Sequence, residues 1–400
     1  MSILKKEKVR QAISIGSISS ILYLFVYVVR NVLSAIAPQM IEKQIFTTEF
    51  VGKMSSVFFI SYAIGQLING ILGDKIKARN MVCFGLWFAG ISHFFIVYTT
   101  DSLLAACALY CVTGFFLSMV YAPLTKVIAE NVELLYAERC TLGLTFASLF
   151  GSPLAGILAT VFDWKMVFGL SSGFMVVMGI VAYVFYLNYE RKGIIVHNRF
   201  AKKEKQSGGQ VKVLFERQIV KFTVVAGITG IIRTSVVFWL PTYISQYLGF
   251  SASKATMIFT IATVFISVSA FVAMLIYERV RRNMTVSMLI FFGISTLSFA
   301  GAFFINQSVV NIIMMISAIL FANCASNILW SVYCPGLRDT GMVSAATGFL
   351  NFVSYMSASI SNTIFGNAVA VIGWGKLVFV WFALMAVGIV IMIPLKKGNG

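Results

Sequence analysis

Residues 27–38 read YVVRNVLSAIAP and residues 231–244 read IIRTSVVFWLPTYI. Each stretch places one arginine, Arg30 or Arg233, in an apolar run with no other charged residue, and a proline follows eight positions later, Pro38 or Pro241. The arginines are 203 residues apart, about half of the 400-residue chain, and the prolines repeat at the same interval. A charge at bilayer depth costs about 2.5–3.5 kcal/mol on insertion scales, so an arginine kept there is a candidate functional residue. Two at equivalent places in a duplicated chain predict one site built where two halves meet.

The surrounding composition is that of a membrane protein. The chain is 59% hydrophobic and only 11% charged, against about 25% charged for soluble domains. Apolar runs long enough to cross about 30 Å of hydrocarbon recur throughout. Twelve spans are expected, at 12–38, 51–73, 80–98, 101–125, 139–162, 165–188, 218–244, 253–277, 284–304, 308–332, 342–372 and 375–395. The runs are continuous rather than alternating, which argues against a β-barrel. The fold class expected is therefore an all-α membrane protein with twelve transmembrane helices in two pseudo-symmetric six-helix bundles. The N-terminal bundle is expected at 1–188 and the C-terminal bundle at 218–400. Between them, 189–217 carries Arg191, Lys192, Arg199, Lys202, Lys203 and Lys205 before Ser207-Gly208-Gly209 and reads as a basic linker.

The net charge of +17 follows topology rather than a nucleic-acid footprint. With the N-terminus inside, 24 of the 31 Lys and Arg residues fall on the inner side and five on the outer side, Lys43, Lys53, Lys165, Lys254 and Lys376. The other two are Arg30 and Arg233. This bias predicts an inner or plasma membrane protein with both termini cytoplasmic, in contact with anionic lipid and with no nucleic-acid partner. The first apolar run is longer than the 7–15 residues of a signal h-region and is read as a retained helix. Six cysteines lie in or near the helices; Cys107 and Cys111 share a helix face, but with no His or carboxylate beside them they read as packing residues. No metal site, cofactor or enzymatic nucleophile–base pair is expected.

All 14 acids fall in tails, loops or helix ends, so none is expected at the depth of the two arginines. An arginine does not escape burial by losing its proton. The expected counter-charge is an anionic ligand, because a forked guanidinium suits carboxylate or phosphate oxygens and two forks suit a phosphoryl group. Tyr23 and Tyr27 precede Arg30 by seven and three residues and fall near its helix face. Gln66, Asn323, Asn327, Asn351 and Tyr355 are candidate neutral donors, although Asn and Gln also tie membrane helices together. Trp239 reads either as a site residue or as part of the outer aromatic belt.

A second repeated segment carries a family resemblance. GDKIKARNM at 73–81 and YERVRRNM at 277–284 share an acid, a base, further bases and Asn-Met at an interval of 203–204. Two parallel six-helix repeats are the plan of the major facilitator transporters. GDKIKAR resembles the loop motif between the second and third helices of that superfamily, although Gly73 and Asp74 are adjacent, Lys75 stands where Arg is commoner and Ala78 replaces a glycine. The resemblance implies that Gly73, Asp74, Lys75 and Arg79 belong to a cytoplasmic gating loop. The third helix of the superfamily normally faces lipid, which makes His93 a tolerated polar residue rather than a proton relay.

Within the superfamily, the two arginine segments look like the first and seventh helices of organophosphate:phosphate antiporters, the glycerol-3-phosphate and hexose-phosphate carriers. That resemblance implies a monomeric carrier of a small organic phosphate, exchanged for inorganic phosphate and clamped by Arg30 and Arg233. The glycerol-phosphate members place a lysine where this chain has Gln66 and a histidine where it has Ser148, so the clamp here has fewer cations around it. The alternatives are a carboxylate or other organic-anion symporter or exporter, and a transporter-like sugar-phosphate sensor.

Overall fold

The computed structural model describes residues 3–72, 76–196, 217–305, 307–334, 336–337 and 343–393. Among the described residues the secondary structure is helical, with no strand. The first six helices are α1 (Ile3–Glu42), α2 (Thr48–Leu72), α3 (Ala78–Phe95), α4 (Leu103–Asn131), α5 (Leu134–Val161) and α6 (Trp164–Arg191). The second six begin with α7 (Ile219–Gln246), α8 (Ala252–Arg279), α9 (Met284–Phe304) and α10 (Ser308–Tyr333). The final helical run, Val343–Met392, is broken at Gly373, whose φ of 76° lies in the left-handed region. It is therefore two helices, α11 (343–372) and α12 (374–392), joined by the one residue type that adopts this backbone without steric cost.

Among the described residues, ten helical stretches are long and apolar enough to cross a membrane. The last of these spans the Gly373 break, and α5 contributes the shorter apolar segment Phe146–Val161. The twelve expected helices are thus all present. Several run past their apolar stretches, α1 by four residues beyond Pro38 and by nine before residue 12. Hydropathy marks the part of a helix that lipid covers, whereas backbone hydrogen bonding carries the helix on into water.

The chain divides into two compact units, Met1–Glu204 and Lys205–Gly400. In the first unit α1 lies along α5 and also meets α6 and α4; α2 lies on α4, and α3 packs against α4 and α6. In the second unit α7 lies along the 343–392 run, α9 packs against α10 and that same run, and α8 packs against α10. Lipid offers no hydrophobic drive for such contacts, so close approach at small residues supplies the attraction.

Two of these approaches flank the arginines. On α5, a Cβ added to Gly151 would come within 2.3 Å of the Tyr27 Cβ and 2.8 Å of its backbone carbon. On α7, a Cβ added to Gly230 would come within 2.6 Å of the Ser354 carbonyl oxygen and 2.8 Å of its Cα. Tyr27 and Gly230 are 203 residues apart, as are Gly151 and Ser354. The same helix–helix register therefore recurs in both units with the small residue moved to the opposite partner.

Gly151→Ala and Gly230→Ala should each destabilise the protein by about 1–3 kcal/mol through overpacking against backbone, despite alanine's better helix propensity. Gly169 on α6 meets nothing within 4 Å, so Gly169→Ala should be neutral or stabilise by up to about 1 kcal/mol. Thermal unfolding of the purified variants in detergent measures all three, and equal behaviour of the set would contradict the close-contact account.

Candidate functional site

Arg30 sits on α1 twelve residues before Glu42, a distance of about 18 Å along the helix. A snorkelling side chain does not span that length. Its residue is only 8% exposed, and its guanidinium carbon lies over three aromatic rings: Tyr27 at 5.1 Å, Phe59 at 5.1 Å and Tyr62 at 5.3 Å from the ring centroids. Tyr27 is one turn earlier on α1, and Phe59 and Tyr62 are one turn apart on α2, so both α2 rings project from one helix face. Each cation–π contact is worth about 0.5–2 kcal/mol, and three together are comparable with the cost of holding the charge in the span.

The cage continues into an aromatic row. The buried Tyr23 ring meets Tyr27 edge-on at 5.0 Å and Tyr121 of α4 at 5.0 Å, tilted by 32°. On the other side, Tyr62 stacks on Phe58 at 6.1 Å, and Phe58 stacks on Tyr110 of α4 at 4.7 Å. Tyr23, Tyr27 and Arg30 thus share one surface of the first unit, as their spacing predicts. Gln66, half-buried, follows Tyr62 by one turn on the same α2 face. Ser148, also half-buried, lies three residues before Gly151 at the α1–α5 contact.

Arg233 has a different local setting. The backbone of α7 changes to a π-turn over Ile231–Val236, with Arg233 inside it. Such turns are rare and frequent at functional sites, because the inserted residue re-aims the side chains around it. Arg233 is half-buried, and among the described residues none forms an ion pair with it. Just beyond it, the Ser235 hydroxyl donates to the Ala358 carbonyl at 2.7 Å and fastens α7 to α11. Tyr355, buried, is next to Ser354 at the Gly230 contact, and the half-buried Asn351 is one turn earlier on α11.

The remaining expected residues separate. Asn323 is buried on α10. The Asn327 amide donates to the Ser269 hydroxyl at 3.2 Å and so joins α10 to α8. Trp239 is fully buried, with its ring 6.1 Å from that of Trp374, which places it in the second unit's core rather than in an interfacial belt. Gly73, Asp74 and Lys75 lie outside the described residues. Arg79 stands in the first turn of α3, where it pairs with Glu190 of α6 at 2.9 Å and stacks over Tyr183 at 5.2 Å. It thereby ties two helices of one unit. Among the described residues no cluster of potential metal ligands occurs, and all six cysteines are free.

His93 departs from the lipid-facing expectation. It is 0% exposed, and its ring lies 4.7 Å from Phe168 of α6 and 6.2 Å from Tyr110 of α4. Neither ring nitrogen has a hydrogen-bond partner among the described residues. A helix at the edge of a bundle still has an inner face, and His93 is on it. Phe59, Tyr62 and Tyr121 were not singled out by the sequence reading; the signal for the first two is the i, i+3 aromatic spacing in FFISY, one turn before Gln66.

Comparison with known proteins agrees with this architecture. Residues 19–362, well over half of the chain, match the Major Facilitator Superfamily. The chain is 22% identical to the Hexuronate transporter of Bacillus subtilis (strain 168) over 381 residues, covering 86% of each protein. It is 29% identical to the Membrane sensor protein UhpC of Salmonella typhimurium over 94 residues, which is 24% of this chain and 21% of that protein. Among solved structures, a crystal structure of the nucleoside transporter NupG superimposes with a TM-score of 0.74 at 14% identity, covering 96% of this chain and all of that one.

Two unpaired buried nitrogens are a cost that an apolar ring, one atom larger, removes. His93→Phe should raise the thermal unfolding midpoint in detergent, with a gain of about 1–3 kcal/mol. A fall in the midpoint would mean that the imidazole nitrogens are engaged.

Proposed function

Because the chain belongs to the Major Facilitator Superfamily, we propose that it carries a small organic anion across the membrane by alternating access, with Arg30 and Arg233 as the anion-binding residues. Members of this superfamily are integral multi-pass transporters, not enzymes, and that coarser assignment holds for this chain. The observation that carries the anion reading is the Arg30 guanidinium caged by Tyr27, Phe59 and Tyr62. The three rings hold the guanidinium in place within about 5 Å, and its forked in-plane N–H donors are of the kind that matches carboxylate and phosphate oxygens. Arg233, at the equivalent repeat position and inside a π-turn, supplies the second fork.

The ligand favoured by the local resemblance is an organic phosphate, exchanged for inorganic phosphate. Two cations that share one ligand in a low-dielectric setting repel one another when it is absent, and an anion removes that penalty. Reorientation without an anion is then slow, and one-for-one exchange is preferred to net flux. Gln66, Ser148, Asn351, Asn323 and Tyr355 supply neutral donors around the anion, and Tyr23 and Tyr27 contact the remainder of the substrate. The second reading is a sugar carboxylate, supported by a similarity to a hexuronate transporter that runs along 86% of the chain rather than along a fragment. A sensor role would give ligand binding without flux.

Purified protein in vesicles preloaded with inorganic phosphate should exchange sugar phosphates, and in vesicles preloaded with a hexuronate the second reading predicts hexuronate counterflow instead. Neither amines nor neutral sugars should exchange. Arg30→Lys and Arg233→Lys keep the charge but lose the fork, and each should cut exchange by about 10- to 100-fold. Exchange of amines or neutral sugars, with both lysine variants behaving as wild type, would overturn the anion reading.

A further inference from the structure

The first unit contains a cavity of about 530 Å³ between the starts of α1 and α5, well away from the Arg30 cage. Its polar wall comes from Ser17 and Ser20 on α1 and from Tyr136 and Arg139 on α5, while Val9, Ala12, Ile13 and Ile21 make the rest largely apolar. Arg139 is exposed at the mouth. The neighbouring acid, Glu133, is taken by Lys8 at 3.7 Å, and among the described residues none forms an ion pair with Arg139. Volume, apolar walls and a few convergent polar groups are the attributes of a small-molecule site.

The position of the cavity gives it a role. Along α1, residues 13, 16, 20, 23, 27 and 30 follow one another in steps of three and four, so they form a single stripe on the helix. The lower part of that stripe, Ile13, Gly16 and Ser20, lines the cavity. The upper part is Tyr23, Tyr27 and Arg30. Ser20 and Arg30 are ten residues apart, or about 15 Å of helix. Gly16 and Gly143 let α1 and α5 approach at this level: a Cβ on Gly16 would come within 2.6 Å of the Cys140 sulfur, and one on Gly143 within 2.5 Å of the Ser20 hydroxyl. The groove and the cage are consecutive stations on one helix face.

We propose that this cavity is a second anion-binding site, in which Arg139 receives the phosphate or carboxylate group of a small anion and the apolar wall takes its carbon skeleton. The site stages the anion between solution and Arg30 at the basic end of the first unit, beside Lys8 and Arg10. The ligand class rests on the anion reading above, but occupancy of the cavity does not require Arg30. The guanidinium's forked donors match the oxygens of a phosphate or carboxylate, and the apolar walls beside it suit the attached carbon skeleton.

The test uses Ser17→Cys in the otherwise native chain, purified in detergent and labelled with a neutral maleimide, with modification at residue 17 followed by mass spectrometry. Inorganic phosphate is the probe, and chloride at equal ionic strength is the control. Phosphate should slow labelling several-fold relative to chloride, the slowing should persist when Arg30→Lys is added, and it should vanish when Arg139→Gln is added. Arg139→Met, which keeps the side-chain stem, replaces the glutamine variant if that one does not fold and is read in the same way. The proposal is overturned if phosphate protects no better than chloride, if protection survives loss of Arg139, or if Arg30→Lys abolishes it. The last outcome would assign the phosphate effect to the Arg30 site alone, whereas failure of the anion reading itself appears in the exchange panel and leaves this labelling test independent.

Discussion

A guanidinium that cannot shed its charge, placed in the middle of an apolar helix, is the constraint around which the first unit is arranged. Three rings from two helices meet it at 5.1, 5.1 and 5.3 Å. Phe59 and Tyr62 bind α2 to Arg30, Tyr27 carries the ring row back along α1, and Gly151 brings α5 against the Tyr27 backbone. The cage makes the charge tolerable in the absence of any substrate, which an account based on ligand neutralisation alone does not provide. It also holds the side chain in place, because rings from α1 and α2 lie against the same guanidinium.

The second unit sets its arginine differently. Arg233 lies in a π-turn of α7, and the close contact beside it has glycine on α7 and serine on α11, the reverse of the tyrosine–glycine arrangement at the same register in the first unit. Duplication preserved the spacing of the arginine, the proline and the helix contact while the side chains around them diverged. The two arginines also differ in burial: Arg30 is enclosed, and Arg233 is half-buried.

The spans were legible because a hydrocarbon layer of about 30 Å imposes a length on every helix that crosses it, and few soluble elements imitate twelve such runs. Arg30 and Arg233 were legible because a charge is conspicuous against an apolar background. Phe59 and Tyr62 were not: in a chain with 36 Phe and 15 Tyr, an aromatic pair at helical spacing recurs without consequence. His93 was misdirected, and Trp239 was left between two readings, for a related reason. Family position and residue type indicate an average surface, whereas burial depends on which face of the helix a residue occupies, and both side chains face inward with no exposure. The π-turns at Arg233 and at Leu329–Tyr333 leave no mark in hydropathy, since an inserted residue changes the helical phase without changing composition.

The central claim is that Arg30 and Arg233 bind the same anion. A double-mutant cycle on equilibrium anion affinity, using Arg30→Lys, Arg233→Lys and the double variant, addresses it directly. Residues that hold one ligand as a unit are non-additive. The account predicts that each single variant loses most of the affinity and that the double variant loses little more than either. Independent, additive losses, or full affinity in either single variant, would contradict it.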